Sequence, residues 1–179
     1  ILTLNAGSSS IKFALFARRE PLPNVAHVPE LAGQIDGLGA RPHLRAKDAS
    51  GRVEDADLPL ERDAAHRAAL AFLVDWLHAH ASGRRIVAVG HRVVHGGTRY
   101  SQPVRVDDAA LEALKSFIPL APLHQPHNIA GIEAMQASLA GVPQVACFDT
   151  AFHRNQPELA QLFALPRRFT AEGVRRYGF

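Results

Sequence analysis

Two hydroxyls and an ammonium recur at a two-residue period in the stretch NAGSSSIK: Ser8, Ser10 and Lys12, preceded by Asn5 and Gly7. In extended backbone, residues two apart share a face. The stretch therefore reads as two antiparallel strands around a Gly-Ser turn, with the three side chains on one side. Gly7 leaves room for backbone N–H groups to approach an anion. The spacing is not that of G-x-x-x-x-G-K-[ST], the loop that holds phosphates at a helix start. It suits terminal phosphates held between two strands, and it suits equally a hairpin turn whose serines bond their own backbone. Asn5 either adds an amide contact or closes the turn.

Arg92, in GHRVVHGG, follows the apolar run 86–89, which reads as a strand covered on both faces. Ligands of open α/β sheets collect beyond strand ends, and a guanidinium offers a planar fork to a carboxylate or phosphate. A surface ion pair is the alternative for an isolated Arg. Asp149, in CFDTAFH, comes directly after another apolar strand, placed to meet a metal ion, an Arg, or the first turn of a helix as its cap. His91 and His95 are four apart in strand-like surroundings, without the Glu of H-E-x-x-H, which argues against zinc. His124, His127 and His153 read as hydrogen-bonding loop groups. LAPLHQPHN is a Pro-rich turn able to wall a small pocket or to fix a helix entry at Pro126.

The elements that must position these groups show in the periodicity. Ile11, Phe13 and Leu15 alternate after the turn, and short strands are expected at about 30–36, 43–47 and 52–58, after a loop over 17–29. Ala69, Phe72, Leu73, Trp76 and Leu77 define one face of a helix over 62–80. Asp107 caps a helix carrying Leu111, Leu114 and Phe117, and another after Pro126 carries Ile129, Ile132 and Met135. VPQVACF reads as a buried strand, with Cys147 as a small core residue, and PELAQLFAL as a short helix. Strands first, then alternating helix and strand, predict an α/β domain with a mixed sheet flanked by helices.

The 179 residues suffice for one sizeable core, and 47% apolar with 21% charged residues is an ordinary globular mix. A net charge of +3, with basic pairs scattered and no run interleaved with aromatics, argues against nucleic acid. One cysteine excludes an internal disulfide and fits a reducing compartment. No apolar run reaches transmembrane length, and a cytoplasmic protein with no membrane partner is expected. The chain begins at Ile1 without Met and stops at RRYGF, and both ends read as cut.

Taken in order, NAGSSSIK, GHRVVHGG, APLHQPHN, FDTAFH and the terminal RRYGF resemble the acetate kinase family, within the group that includes sugar kinases, actin and heat-shock chaperone ATPases. The resemblance runs from Leu2 to Phe179. It implies a ribonuclease H-like, actin-like ATPase N-terminal domain over residues 1–179, with the nucleotide-binding second domain absent. It also implies reversible transfer of the ATP terminal phosphoryl group to acetate, giving acetyl phosphate and ADP with Mg²⁺ or Mn²⁺, in a homodimeric parent. By motif, Ser8, Ser10 and Lys12 would face the phosphates and Asn5 the metal region. Arg92 would engage the carboxylate and the phosphoryl group, and Asp149 matches the catalytic aspartate. Val94 and Leu123 match walls of the methyl pocket, and His124 a histidine near the transferred phosphoryl. Gln125 and His127 stand where the family commonly has Asn and Pro, and the family continues into a catalytic histidine one residue past Phe179. Propionate and butyrate kinases share much of the pattern. A stand-alone, non-catalytic phosphate- or nucleotide-binding module is the reading from a different class.

Overall fold

The computed structural model describes residues 1–18, 21, 24–60, 65–80, 83 and 85–179. The expected start of the first helix at 62–64 and part of the expected loop over 17–29 lie outside these residues. Eight strands form one sheet in the order β5-β4-β3-β2-β1-β6-β8-β7. They are β1 (Leu2–Ala6), β2 (Ile11–Leu15), β3 (Leu31–Asp36), β4 (His43–Asp48), β5 (Val53–Asp57), β6 (Val89–Val93), β7 (Val104–Arg105) and β8 (Gln144–Phe148). β1 to β5 form an antiparallel meander. β6 runs parallel to both β1 and β8, and β7 caps the far edge antiparallel to β8. The mixed sheet read from the sequence is therefore present.

Alternation sets the faces. Leu2, Leu4 and Ala6 of β1, Ile11, Phe13 and Leu15 of β2, and Leu44 and Ala46 of β4 are buried, while the residues between them are not. The buried face meets α1 (Ala65–His80) through Ala69, Leu70, Leu73, Trp76 and Leu77. It meets α3 (Gln125–Ser138) through Met135. A second cluster joins Val93, Ala146 and Phe148 of the sheet to Ile129 and Ile132 of α3 and to Leu111 and Leu114 of α2 (Asp108–Ser116). Asp107 caps α2 as expected, accepting from Ala110 N at 2.7 Å. Gly131 lets α3 lie close on β1, since a Cβ there would stand 3.0 Å from that of Ala6.

Three expectations need correction. The strand assigned to 86–89 is β6, Val89–Val93, because pairing with β1 and β8 selects the register that the local apolar run does not. Arg92 consequently lies within the strand, not after it. PELAQLFAL forms only a 3₁₀ turn, Glu158–Gln161, in which no residue is buried, so no core face holds a longer helix. Cys147 is exposed, for it points to the sheet face opposite the helices, beside Arg92 in register. α4 (Arg167–Ala171) and the two-residue β7 carry too few residues for a periodic signal.

Candidate functional site

The site gathers where β1, β6 and β8 end side by side. Ala6 pairs with Ile11, so residues 7–10 form a tight loop joining β1 to β2, closed by Gly7 N–H donating to Ser10 O at 2.9 Å. Lys12 stands exposed on β2, opposite Asn5 of β1. Ser8 and Ser10 lie in the loop itself and not in a regular strand, so strand alternation governs Lys12 alone of the three.

Arg92 projects from β6 on the open side of the sheet. Its Nε donates to Asp149 Oδ1 at 2.9 Å and its Nη2 pairs with Asp149 Oδ2, a two-pronged bridge. Its Nη1 reaches Asn5 Oδ1 at 3.4 Å. Asp149 opens a 3₁₀ turn, Asp149–Ala151, after β8, and its carboxylate serves Arg92 in place of capping a helix. Residues distant in sequence, Asn5, Arg92 and Asp149, thus form one polar row. Beside it, a cavity of about 400 Å³ is lined by Asn5, Lys12, Arg92 and Cys147 among others. Partial desolvation there raises the Cys147 thiol pKa.

The wall residues behave differently from one another. Val94 is buried, its N–H donating to Asn128 Oδ1 at 3.0 Å. Leu123, 74% exposed, and His124 lie on the outside of the turn before α3. The structure brings Asn5, Lys12, Arg92 and Asp149 together.

Four residues that hold the site carried no local signal. Asn128 is buried in the first turns of α3, donating Nδ2–H to Ala6 O at 2.7 Å while its Oδ1 takes the Val94 N–H. Gln125 is fully buried, accepting from His95 N at 3.3 Å and donating to His95 O at 3.1 Å. Thr150 Oγ1 accepts from Gly96 N at 3.0 Å. His66, on α1, places Nε2 3.0 Å from Gly7 O. The partners just named are 30 to 122 residues away, beyond any short motif.

His91 and His95 are hydrogen-bonded in the interior. Among the described residues no three of His, Cys, Asp and Glu are disposed to hold an ion. Burial pushes the His91 pKa down to about 4, against the opposing bond from Nε2 to Gln144 Oε1. Burial also lowers His95, whose Nδ1 accepts from Gly97 N at 2.9 Å and whose ring meets the edge of Tyr177. Among the described residues no helix is long and apolar enough to cross a membrane.

The chain is similar to known proteins along its whole length. The model of the acetokinase family matches residues 1–179. An acetate kinase of Rhodopseudomonas palustris is 48% identical over 180 residues, covering 100% of this chain and 44% of that protein. One from Pseudomonas aeruginosa is 45% identical over the whole chain and 43% of its own length. The solved acetate kinase of Porphyromonas gingivalis superposes with a TM-score of 0.78 at 36% identity, and a propionate kinase of Francisella tularensis with 0.79 at 33%. Each covers 99% of this chain and 44% of the solved one, so the chain spans less than half the length of these relatives.

Proposed function

The chain belongs to the acetokinase family, and from that premise we propose that it is the N-terminal domain of an acetate kinase, bearing one side of a cleft in which ATP phosphorylates acetate. The observation that carries the reading is the two-pronged Arg92–Asp149 bridge at the ends of parallel strands, with Asn5 and Lys12 alongside.

The geometry matches what this reaction needs. A carboxylic acid of pKa about 4–5 is already ionised at neutral pH, so no base is required to activate the acceptor. The barrier is the meeting of two anions in line, which positive charge and positioning lower. Arg92 supplies both, held in plane by Asp149, which acts as organiser and not as proton acceptor. Ser8, Ser10 and Lys12 take the nucleotide's phosphates. Val94 and Leu123 wall the methyl group, and His124 lies by the transferred phosphoryl. The oxygens of Asn5 and Asp149 are hard donors of the kind Mg²⁺ or Mn²⁺ accepts, and two such groups beside phosphates and water suit Mg²⁺, which seldom uses an all-protein cage. When bound, the ion supplies charge neutralisation on the phosphoryl oxygens. The whole protein is further expected to be cytoplasmic and homodimeric, with no nucleic-acid or membrane partner. The propionate kinase likeness supports a second reading with a longer acyl acceptor.

In the full-length protein, Arg92→Ala should abolish acetyl phosphate formation, trapped as the hydroxamate, by about 10²–10³-fold or more. Turnover near wild type would refute the reading. Ratios of kcat/KM for acetate, propionate and butyrate decide the acceptor. Tested alone, the 179-residue chain should show no kinase turnover and weak ATP affinity; micromolar ATP binding by calorimetry would contradict this.

A further inference from the structure

The loop over residues 7–10 is tied from behind. Asn128 Nδ2–H holds the Ala6 carbonyl at 2.7 Å, His66 Nε2 the Gly7 carbonyl at 3.0 Å, and Leu38 N–H the Ser9 carbonyl at 3.2 Å. The Ser10 carbonyl is taken by Gly7 N–H. These donors come from three different parts of the fold, α3, α1 and the turn after β3. Together they occupy the carbonyl oxygens of Ala6, Gly7 and Ser9.

Peptide planarity turns this into chemistry. A carbonyl and the next residue's N–H point in opposite directions across a trans unit. With Gly7 C=O drawn to α1 on the helix-covered face, Ser8 N–H is directed away from α1, toward the side where Lys12 and Arg92 stand exposed. By the same rule Ser10 N–H points away from Leu38, whose N–H holds the Ser9 carbonyl. The Ser8 amide on the side of Lys12 is then free to join an anion site of the kind backbone N–H groups form. A free Gly7 peptide could flip at little cost, since glycine tolerates both orientations.

We propose that His66 is a positioning residue of this phosphate site: its Nε2–H pins the Gly7 carbonyl and so presents the Ser8 amide to a terminal phosphate oxygen of the nucleotide. The inference rests on the phosphate-binding part of the function proposed above and not on the identity of the acyl acceptor. A carbonyl only accepts, so the proton must sit on Nε2. The ring is steadied by His127 of α3, whose centroid lies 4.7 Å away at a 48° tilt. Burial, then the neighbouring His127, lowers the His66 pKa, and burial, then His124, lowers that of His127, both shifts favouring the neutral ring.

The test compares two amide substitutions of equal polarity in the full-length protein. The amide of His66→Gln reaches the place of Nε2 and keeps the bond; that of His66→Asn stops short at the place of Nδ1 and loses it. Binding of Mg·ATP by calorimetry is read beside acyl phosphate turnover. His66→Asn is expected to weaken Mg·ATP binding and raise its KM about tenfold, the worth of one hydrogen bond to a charged phosphate. The KM for the acyl acceptor should stay unchanged, and His66→Gln should recover most of the loss. Equal Mg·ATP affinity for His66→Asn and wild type, or equal losses for the Asn and Gln variants, would overturn the proposal. If the wild-type protein binds Mg·ATP but forms no acyl phosphate, the kinase reading falls, while the calorimetric contrast between the two variants still supports or overturns the role of His66.

Discussion

Replacing Asn128 by Ala removes a cross-link between the first strand and the loop after β6, and its cost can be worked from the two bonds it makes. Nδ2–H satisfies Ala6 O at 2.7 Å, 122 residues away, and Oδ1 satisfies Val94 N–H at 3.0 Å, 34 residues away, in a side chain 2% exposed. Truncation leaves a buried carbonyl and a buried N–H without partners, each costing about 1–2 kcal/mol, so the total is about 2–4 kcal/mol. With a urea m-value of about 2 kcal/mol/M, the midpoint should fall by about 1–2 M. Denaturation of the chain followed by circular dichroism reads this directly, with the slope unchanged. Asn128→Asp sharpens the test, because it keeps the acceptor for Val94 but sets a carboxylate oxygen against the Ala6 carbonyl. Folding raises the pKa of such a buried acid, so its destabilisation should grow as pH rises. A loss below about 0.5 kcal/mol in Asn128→Ala, typical of surface substitutions, would refute the cross-link argument.

Two further outcomes follow from the histidines. His91, held near pKa 4 by burial against about 6.5 unfolded, opposes folding once it must charge. Its penalty appears as pH falls below about 6.5 and levels off below about 4, reaching about 3 kcal/mol. Proton NMR of its ring should show no titration above pH 5, and titration near 6.5 would contradict the burial. His43 behaves oppositely: its bonds to Asp57 at 2.7 Å and Asp55 at 2.6 Å raise its pKa above 6.5. Its contribution is present in full below the unfolded pKa and is lost as pH rises through the raised folded one. His43→Gln should flatten that part of the pH–stability curve, and an unchanged slope would count against the bridge.

The sequence revealed residues whose partners are near or whose period is long. Alternation marked β2, and the spacing of Ala69, Leu73, Trp76 and Leu77 marked α1, because each of these elements buries its own face. It misplaced the β6 strand, since Ile86 and Val87 are as apolar as Val93 and only pairing with β1 and β8 tells them apart. Cys147 looked like core because its strand is apolar, yet alternation turns it outward where no helix covers the sheet. Arg92 and Asp149 were legible as reactive types at strand ends, but their meeting across 57 residues was not. Gln125 and His127 registered only as departures from a pattern. The fold gives them partners, the His95 backbone and the His66 ring.

The acidic strand β5 has a consequence for how copies of this protein behave in a crowded cell. Its Glu54 meets His80 at 3.2 Å, and its Asp55 and Asp57 are held by His43 and Arg45. The outermost ladder of the sheet thus displays carboxylates whose backbone neighbours would be joined by any strand docking alongside. A second copy adding edge to edge would bring VEDAD against VEDAD and set like charges face to face. At the opposite margin, β7 is only two residues long and offers little template. Both margins therefore discourage runaway sheet extension into insoluble aggregates, and neutralising Asp55 and Asp57 together would remove that guard from the longer one.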